Sequence, residues 1–246
     1  MSATINAVSS RQRKILMVVA SPAVSTTLGW PVGFWPSEFT HPWLAFAEVG
    51  YALDLASPKG GKVELDALSD PRDPSGYSAH DLVSMGFLHT PELAAMLDNT
   101  RRVADCRAAD YDAVLVCGGQ SPMFTFPTEA PLHRLLAEFH AAEKVTAALC
   151  HGVAALLYVK APDGTPLIRG RTITGFANSE EDVADQIVGK KVMPFRIEDQ
   201  ARKLGANFIT APAWREFAFR DGRLVTGQQQ YSGAAMARQV IEALGM

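Results

Sequence analysis

Short apolar runs alternate with helix-type patterns along this chain, and this alternation restricts the possible folds more than any other feature. The clearest runs are Ile15–Ala20, Tyr51–Ala56, Ala113–Val116 and Val145–Leu149, and weaker ones lie at Ile173–Thr174, Phe208–Thr210 and Leu224–Thr226. Strands separated by helices usually form a mostly parallel sheet that is covered on both faces. The sequence therefore predicts one α/β domain with a doubly wound, flavodoxin-like sheet.

Helices are predicted between these runs. One helix follows Glu38 and ends at Gly50, and the others are Pro91–Asn99, Ala130–Ala142, Gly152–Tyr158, Phe195–Leu204 and Gly233–Leu244. Residues 21–37 and 57–81 fit neither pattern, yet they contain Trp30, Trp35 and Tyr77. Long aromatic segments of this kind are more typical of functional loops than of disorder.

Composition excludes several classes of function. The chain has 246 residues, 48% hydrophobic content and a formal net charge of −3, without a basic stripe for nucleic acid. It has no apolar stretch of the roughly 20 residues that span a bilayer and no signal-peptide core. Its three cysteines favour a reducing, cytoplasmic compartment. Residues 1–13 are expected to form a flexible N-terminal tail before a domain at 14–246.

Cys150 is the strongest candidate for a catalytic nucleophile. The apolar run Val145–Leu149 stops at Cys150-His151-Gly152 and restarts as an alanine-rich helical pattern. A small residue before the cysteine and a glycine after it permit the sharp strand-to-helix turn of a nucleophile elbow. Amide groups at such a turn stabilise the reactive thiolate. By contrast, Cys117 lies inside an apolar run and is expected to be a core residue, and Cys106 has no distinguishing local feature.

Further candidates follow other strands, because ligands bind beyond the carboxyl ends of a parallel sheet. Gly118 and Gly119 follow Ala113–Cys117, and their backbone could approach a bound oxyanion or simply make a tight turn. His151 needs a carboxylate to orient its ring, and the candidates are Glu180, Glu181, Asp182 and Asp185. Glu38, among aromatic residues, is either a proton shuttle or an ordinary first-turn glutamate. No metal-ligand spacing is present among the cysteines and histidines.

Several motifs occur in a fixed order along nearly the whole chain. They are Gly33 to Glu38, Ala56 to Gly61, Asp112 to Gly119, Cys150 to Gly152, Thr174 to Phe176, Pro194-Phe195, Glu198-Asp199, Gly205-Ala206 and Asp221 to Gln228. Together they resemble the ThiJ/PfpI superfamily, which shares the fold of class I glutamine amidotransferase domains. The resemblance is to its heat-shock chaperone and glyoxalase III branch.

The resemblance implies a function and a set of site residues. It implies a nucleophilic Cys150, a neighbouring His151, Glu181 as the acidic partner, with Glu180 as the less favoured alternative, and Glu38 hydrogen-bonded to the thiol. Members of this branch convert 2-oxoaldehydes such as methylglyoxal to 2-hydroxy acids such as lactate, without glutathione or another cofactor. The expected partners are a small reactive carbonyl and a second copy of the chain in a homodimer, with no metal, nucleic acid or membrane.

One motif departs from that family pattern. Relatives usually have Gly-Gly-His-Gly where this chain has Gly118-Gly119-Gln120-Ser121. Gln120 can form hydrogen bonds but cannot titrate near neutral pH, so the departure concerns substrate range more than the nucleophile. Alternative functions are a cysteine amidase or peptidase, a stress-response chaperone with an apolar surface, and a redox sensor with an oxidisable thiol.

Overall fold

The computed structural model describes residues 11–245, and a central sheet of seven strands organises them. In chain order the strands are β1 (Lys14–Val18), β2 (Ala23–Val24), β3 (Pro31–Val32), β4 (Ala52–Ser57), β5 (Arg101–Arg102), β6 (Ala113–Val116), β7 (Val145–Leu149), β8 (Thr172–Ile173), β9 (Asn207–Phe208), β10 (Ala218–Asp221) and β11 (Leu224–Gly227). The main sheet has the order β10-β11-β7-β6-β1-β4-β5. Its strands pair in parallel except for β10, which is antiparallel to β11.

Helices cover both faces of this sheet. They are α1 (Pro36–Glu48), α2 (Leu82–His89), α3 (Pro91–Ala94), α4 (Ser121–Thr125), α5 (Ala130–Ala141), α6 (Asn178–Val188), α7 (Ile197–Lys203) and α8 (Gly233–Ala243). Short 3₁₀ segments lie at Ala95–Leu97, Val103–Asp105, Ala108–Asp110, Phe126–Thr128, Cys150–Tyr158 and Gln230–Ser232.

The central strand β1 shows how the sequence divides the core into two layers. Ile15 and Met17 face a cluster that includes Phe39 of α1 and Met236 of α8. Leu16 and Val18 face the opposite cluster, which contains α5 and the Cys150–Tyr158 segment. All four β1 side chains are fully buried, as expected for a parallel strand covered on both faces. The predicted single α/β domain with a mostly parallel, doubly wound sheet is therefore confirmed.

Several predicted elements differ in detail from the observed ones. The helix predicted at Gly152–Tyr158 is a 3₁₀ segment that begins at Cys150. The strands predicted near Ile173 and Phe208 exist, but β8 and β9 pair with each other outside the main sheet. The helix predicted at Pro91–Asn99 is shorter and continues as a 3₁₀ turn.

Other elements were absent from the sequence prediction. The irregular segment 21–37 contains the hairpin of β2 and β3, and α2 follows the irregular segment 57–81. Helix α6 and the edge strand β10 were not predicted as elements either. All of these are short or largely polar, so apolar periodicity gives little signal for them.

The N-terminal segment is described only from Arg11 onwards. Residues 1–10 of the predicted tail lie outside the described residues, whereas Arg11 and Arg13 hydrogen-bond to Asp112. Within the described part of the chain, no helix has the length and apolar character that crossing a membrane requires.

Candidate active site

Cys150 lies at the carboxyl end of β7, where the backbone turns sharply. Its φ angle is +56°, in the left-handed region that residues other than glycine rarely adopt. The turn also depends on Gly152, because a Cβ atom there would lie 2.6 Å from the carbonyl oxygen of Val116. The chain thus forms a nucleophile elbow here, which places the Cys150 side chain at the carboxyl end of the sheet.

His151 and Glu181 form a buried pair beside this elbow. His151 Nε2 lies 3.0 Å from Glu181 Oε1, and both side chains are almost completely inaccessible to solvent. Phe176 packs against the imidazole, with ring centroids 4.2 Å apart. A carboxylate in this position fixes the orientation of the imidazole ring.

The adjacent Glu180 has a different set of partners. Its Oε2 accepts a hydrogen bond from the Ala177 amide, and its Oε1 accepts hydrogen bonds from the Trp214 amide and from Gln228 Nε2. Glu180 therefore caps the N-terminus of α6 and fixes the position of the loop at Trp214. Of the two glutamates that the sequence left open, Glu181 is the one that contacts His151.

Glu38 reaches the site from the first turn of α1 and is fully buried. Its Oε2 accepts a hydrogen bond from the Gly118 amide at 2.7 Å. The Cys150 thiol lies close enough to influence the carboxyl, and Glu38 Oε1 has no hydrogen-bond partner among residues 11–245. Burial raises the pKa of Glu38 to about 8, and the contacts with Cys150 and Gly118 only partly offset this. Glu38 is therefore mostly protonated at neutral pH.

The same environment affects the thiol. Burial raises the pKa of Cys150 well above its ordinary value, the negative charge of ionised Glu38 raises it further, and the His151 amide lowers it. Protonation of Glu38 removes the repulsive charge and supplies a proton that can be donated to a thiolate. The protonation states of Glu38 and Cys150 are therefore coupled.

Gly118 and Gly119 bring the end of β6 close to the elbow. A Cβ atom at Gly118 would lie 2.6 Å from Glu38 Oε2 and 2.8 Å from the His151 amide nitrogen. Gly119 has a φ angle of +106°, and a Cβ atom there would lie 2.6 Å from the Phe34 Cα. Both positions thus require glycine, because the backbone approaches its neighbours too closely for any side chain.

Asp66, which was not among the predicted site residues, holds the turn that these glycines begin. It is buried and accepts hydrogen bonds from the amides of Gly33 and Gln120. Burial raises its pKa to about 7, and these hydrogen bonds and the nearby His151 only partly offset this. Asp66 lies in the irregular segment 57–81. Its position in a loop with aromatic residues is the one sequence feature that could have indicated a role in the site.

The side chain of Gln120 is hydrogen-bonded to an aromatic residue. Trp30 Nε1 donates a hydrogen bond to Gln120 Oε1 at 3.1 Å. Trp30 follows the turn between β2 and β3, so the hairpin and the end of β6 are joined at this point. Gln120 thereby supplies a neutral polar group at the edge of the site.

A cavity of about 200 Å³ opens above Cys150. Its polar lining includes Glu38, Cys150, His151, Glu181, Gln120 and Gln230. Its apolar lining includes Trp30, Trp35, Leu68, Tyr77, Phe176, Ala184, Ile187, Val188, Val192, Met193 and Trp214. All seven residues of the predicted site lie at or next to this cavity, whereas the apolar wall from α6 and the loop after it was not predicted. Within residues 11–245, no group of three His, Cys, Asp or Glu side chains could hold a metal ion.

Comparison with known proteins identifies the family. The model of the DJ-1/PfpI family matches residues 31–243, which include Glu38, Cys150, His151 and Glu181. This chain belongs to the DJ-1/PfpI family.

Cys106 and Cys117 are buried outside the cavity lining, and Cys150 is the cysteine that the cavity exposes to a ligand.

Individual relatives in this family are similar over almost their full length. The chain is 30% identical to "Glyoxalase 3" of Candida albicans over 220 residues, covering 87% of this chain and 91% of the relative. It is also 30% identical to "Glutathione-independent glyoxalase HSP31" of Saccharomyces cerevisiae, covering 94% and 98%. The crystal structure of glyoxalase III from Candida albicans superposes with a TM-score of 0.80 at 29% identity, covering 94% of this chain and 97% of that one.

Proposed function

We propose that this protein is a glutathione-independent glyoxalase that converts 2-oxoaldehydes such as methylglyoxal to 2-hydroxy acids such as lactate. The observation that carries the proposal is the placement of the Cys150 thiol beside a buried, protonated Glu38 and in the same cavity as the His151–Glu181 pair. Relatives that bear the glyoxalase name and match most of the chain support the same activity.

In the first step, the sulfur of Cys150 adds to the aldehyde carbon C1. His151, oriented by Glu181, takes the thiol proton and passes it to the former aldehyde oxygen, giving a neutral hemithioacetal. Protonated Glu38 lowers the cost of forming the thiolate, since it can donate a hydrogen bond to sulfur. The backbone amides of Gly119 and His151 are the proposed donors to the developing oxyanion.

In the second step, the C1 hydrogen moves to C2 through an enediol. Neutral His151 removes the C1 proton while Glu38 donates its own proton to the C2 oxygen. His151 then returns a proton to C2, and Glu38 recovers one from the C1 hydroxyl, which becomes the carbonyl of a thioester. Oxidation of C1 and reduction of C2 balance within the substrate, so no external electron acceptor is required.

In the last step, water attacks the thioester and the thiol leaves. His151 takes a proton from the water and returns it to the departing sulfur, releasing the 2-hydroxy acid. Gln120 does not titrate and takes no part in these proton transfers.

Conversion of methylglyoxal to lactate by purified protein without glutathione tests the proposal. Cys150→Ala is expected to reduce turnover to background, because no other group in the cavity can form the hemithioacetal. Cys106→Ala is the matched control, since Cys106 is also buried but lies outside the cavity lining. Lactate formation by Cys150→Ala at the wild-type rate, or no product from any 2-oxoaldehyde, would overturn the proposal.

The cellular compartment and the oligomeric state of the protein are proposed on separate grounds. Free cysteines at 106, 117 and 150 fit a reducing compartment, and we place the protein in the cytoplasm. A homodimer is proposed from the family resemblance alone. Light scattering coupled to size-exclusion chromatography distinguishes a dimer from the 26.5 kDa monomer.

A further inference from the structure

One side of the cavity above Cys150 is apolar and is formed by α6 together with the loop that follows it. Glu181, Ala184 and Val188 are spaced three and four residues apart, so they share one face of the helix. Glu181 contacts His151, and the next two positions along this face line the cavity with apolar groups. Val192 and Met193 continue the same wall and are almost fully buried.

This apolar wall is fixed by hydrogen bonds of its backbone. The Val192 amide donates to Asp185 Oδ1, and its carbonyl accepts a hydrogen bond from Thr27 Oγ1. The second oxygen of Asp185 accepts a hydrogen bond from Arg196. Asp185 and Arg196 therefore pair with each other, and the side chain of Val192 lines the cavity. A preformed apolar wall binds an apolar group without first having to be ordered.

The rest of the cavity lining is also largely aromatic or apolar. The indole N–H of Trp30 is already hydrogen-bonded to Gln120 Oε1. Phe176 and Trp214, in edge-to-face contact, cover the side next to His151. Methylglyoxal has a single methyl group beyond its two carbonyls and leaves most of this apolar surface without a partner.

We infer that this site prefers 2-oxoaldehydes whose C2 substituent is a branched alkyl or aryl group over methylglyoxal. The inference rests on the proposed glyoxalase function and specifies its substrate class. With the aldehyde carbon at the Cys150 sulfur, the C2 substituent points away from the polar base of the cavity. It then packs against Ala184, Val188 and Val192.

A series of alkylglyoxals tests the preference while the reactivity of the two carbonyls stays nearly constant. The series runs from methyl through ethyl and isopropyl to isobutyl, and kcat/KM for 2-hydroxy acid formation is measured for each. Burial of one methylene group in an apolar pocket corresponds to about a fourfold gain. We expect kcat/KM to rise along the series, reaching about 60-fold for the isobutyl compound, which has three more carbon atoms than methylglyoxal.

The possible outcomes separate this inference from the function on which it rests. A flat or falling series, with methylglyoxal still turned over, overturns the substrate preference and leaves the glyoxalase function intact. Failure to convert any member of the series overturns the glyoxalase function itself, and the preference with it.

Substitutions in the wall provide a second test. Val192→Thr keeps the shape of the side chain but adds a hydroxyl, and we expect the isobutyl-to-methyl ratio of kcat/KM to fall about fivefold. Val103→Thr makes the same change at a buried valine outside the cavity and is expected to leave the ratio unchanged. Ala184→Leu fills the cavity from α6 and is expected to abolish the preference. Because each ratio is measured on one preparation, partial unfolding does not affect it, and equal ratios in all variants would overturn the inference.

Discussion

Glu38 shows how burial alone can give a common side chain an uncommon role. A glutamate in the first turn of a helix is ordinarily ionised and favourably placed relative to the helix dipole. In this protein it is fully buried, and its pKa rises to about 8. It therefore carries a proton at neutral pH in contact with a cysteine, which is the arrangement that a proton shuttle needs.

Glu38→Gln should separate the proton-transfer role of this residue from its structural role. The amide oxygen can still accept the Gly118 hydrogen bond, but the side chain can no longer titrate. We expect kcat for methylglyoxal to fall about 100-fold or more. Alkylation of Cys150 by iodoacetamide, followed by mass spectrometry, should still occur. Glu48→Gln, at the exposed end of α1, is the matched control.

The pH dependence of the wild-type enzyme provides a second test of the role of Glu38 in proton transfer. As pH rises through about 8, Glu38 ionises, repels the thiolate and loses the proton it would donate. We therefore expect kcat/KM of the wild type to fall on the alkaline side of about pH 8. In Glu38→Gln the residual activity should lack this alkaline decline. An identical decline in both proteins would exclude Glu38 as its cause.

At the scale of elements, the elbow depends on close backbone contacts more than on side chains. Cys150 adopts a positive φ angle, and Gly152 packs directly against the carbonyl oxygens of Val116 and Cys117. The following segment was predicted as an α-helix from its alanines and leucines. Its residues from Cys150 to Leu157 are buried on all sides, so packing decides between α and 3₁₀ geometry and intrinsic propensity does not.

Gly152→Ala tests this dependence on backbone contact. The added methyl would lie 2.6 Å from the Val116 carbonyl, so β6 and the elbow must move apart. We expect a loss of about 2 kcal/mol or more in the free energy of unfolding, measured in urea, together with loss of turnover. Gly86→Ala, within α2 where nothing lies within 4 Å of the new methyl, should instead raise the free energy of unfolding by about 0.5–1 kcal/mol. Equal effects of the two substitutions would contradict this account.

For helix α6, the sequence did not predict which of two adjacent glutamates contacts His151. Glu180 and Glu181 were both candidates, because sequence alone does not give the rotation of a helix about its axis. Successive residues differ by about 100° around a helix, so one glutamate contacts His151 and the other contacts the Trp214 loop. The orientation of α6 is set by contacts with distant segments, such as the hydrogen bond between Glu180 and Gln228.

At the scale of the whole molecule, the sequence predicted the sheet and the base of the site but not the cavity wall. Strands β1, β4, β6 and β7 were predictable because buried parallel strands are continuous apolar runs. The placement of Cys150, Gly118 and Gly119 at strand ends follows from parallel topology. The apolar lining of the cavity adds Trp30, Tyr77 and Trp214 to this wall from loops far apart in the sequence, and no local pattern brings them together.

The two buried carboxyl groups of the site also affect the stability of the whole fold. The pKa of Glu38 rises from 4.5 to about 8, and that of Asp66 from 3.8 to about 7. Between its unfolded and folded values, each group keeps its proton in the folded protein but loses it in the unfolded chain. The folded state then binds more protons, so the free energy of unfolding must decrease as pH rises.

This decrease is expected from about pH 4 to about pH 8, with a contribution on the order of 4 kcal/mol from each carboxyl if it acted alone. The double substitution Glu38→Gln and Asp66→Asn removes both titrations. Urea unfolding at several pH values should give a wild-type stability that falls more steeply than that of the double variant. Because both proteins share every other titrating group, the difference between their curves isolates these two carboxyls. Parallel curves would show that Glu38 and Asp66 are already ionised in the folded protein, and the proton assigned to Glu38 would then be absent at neutral pH.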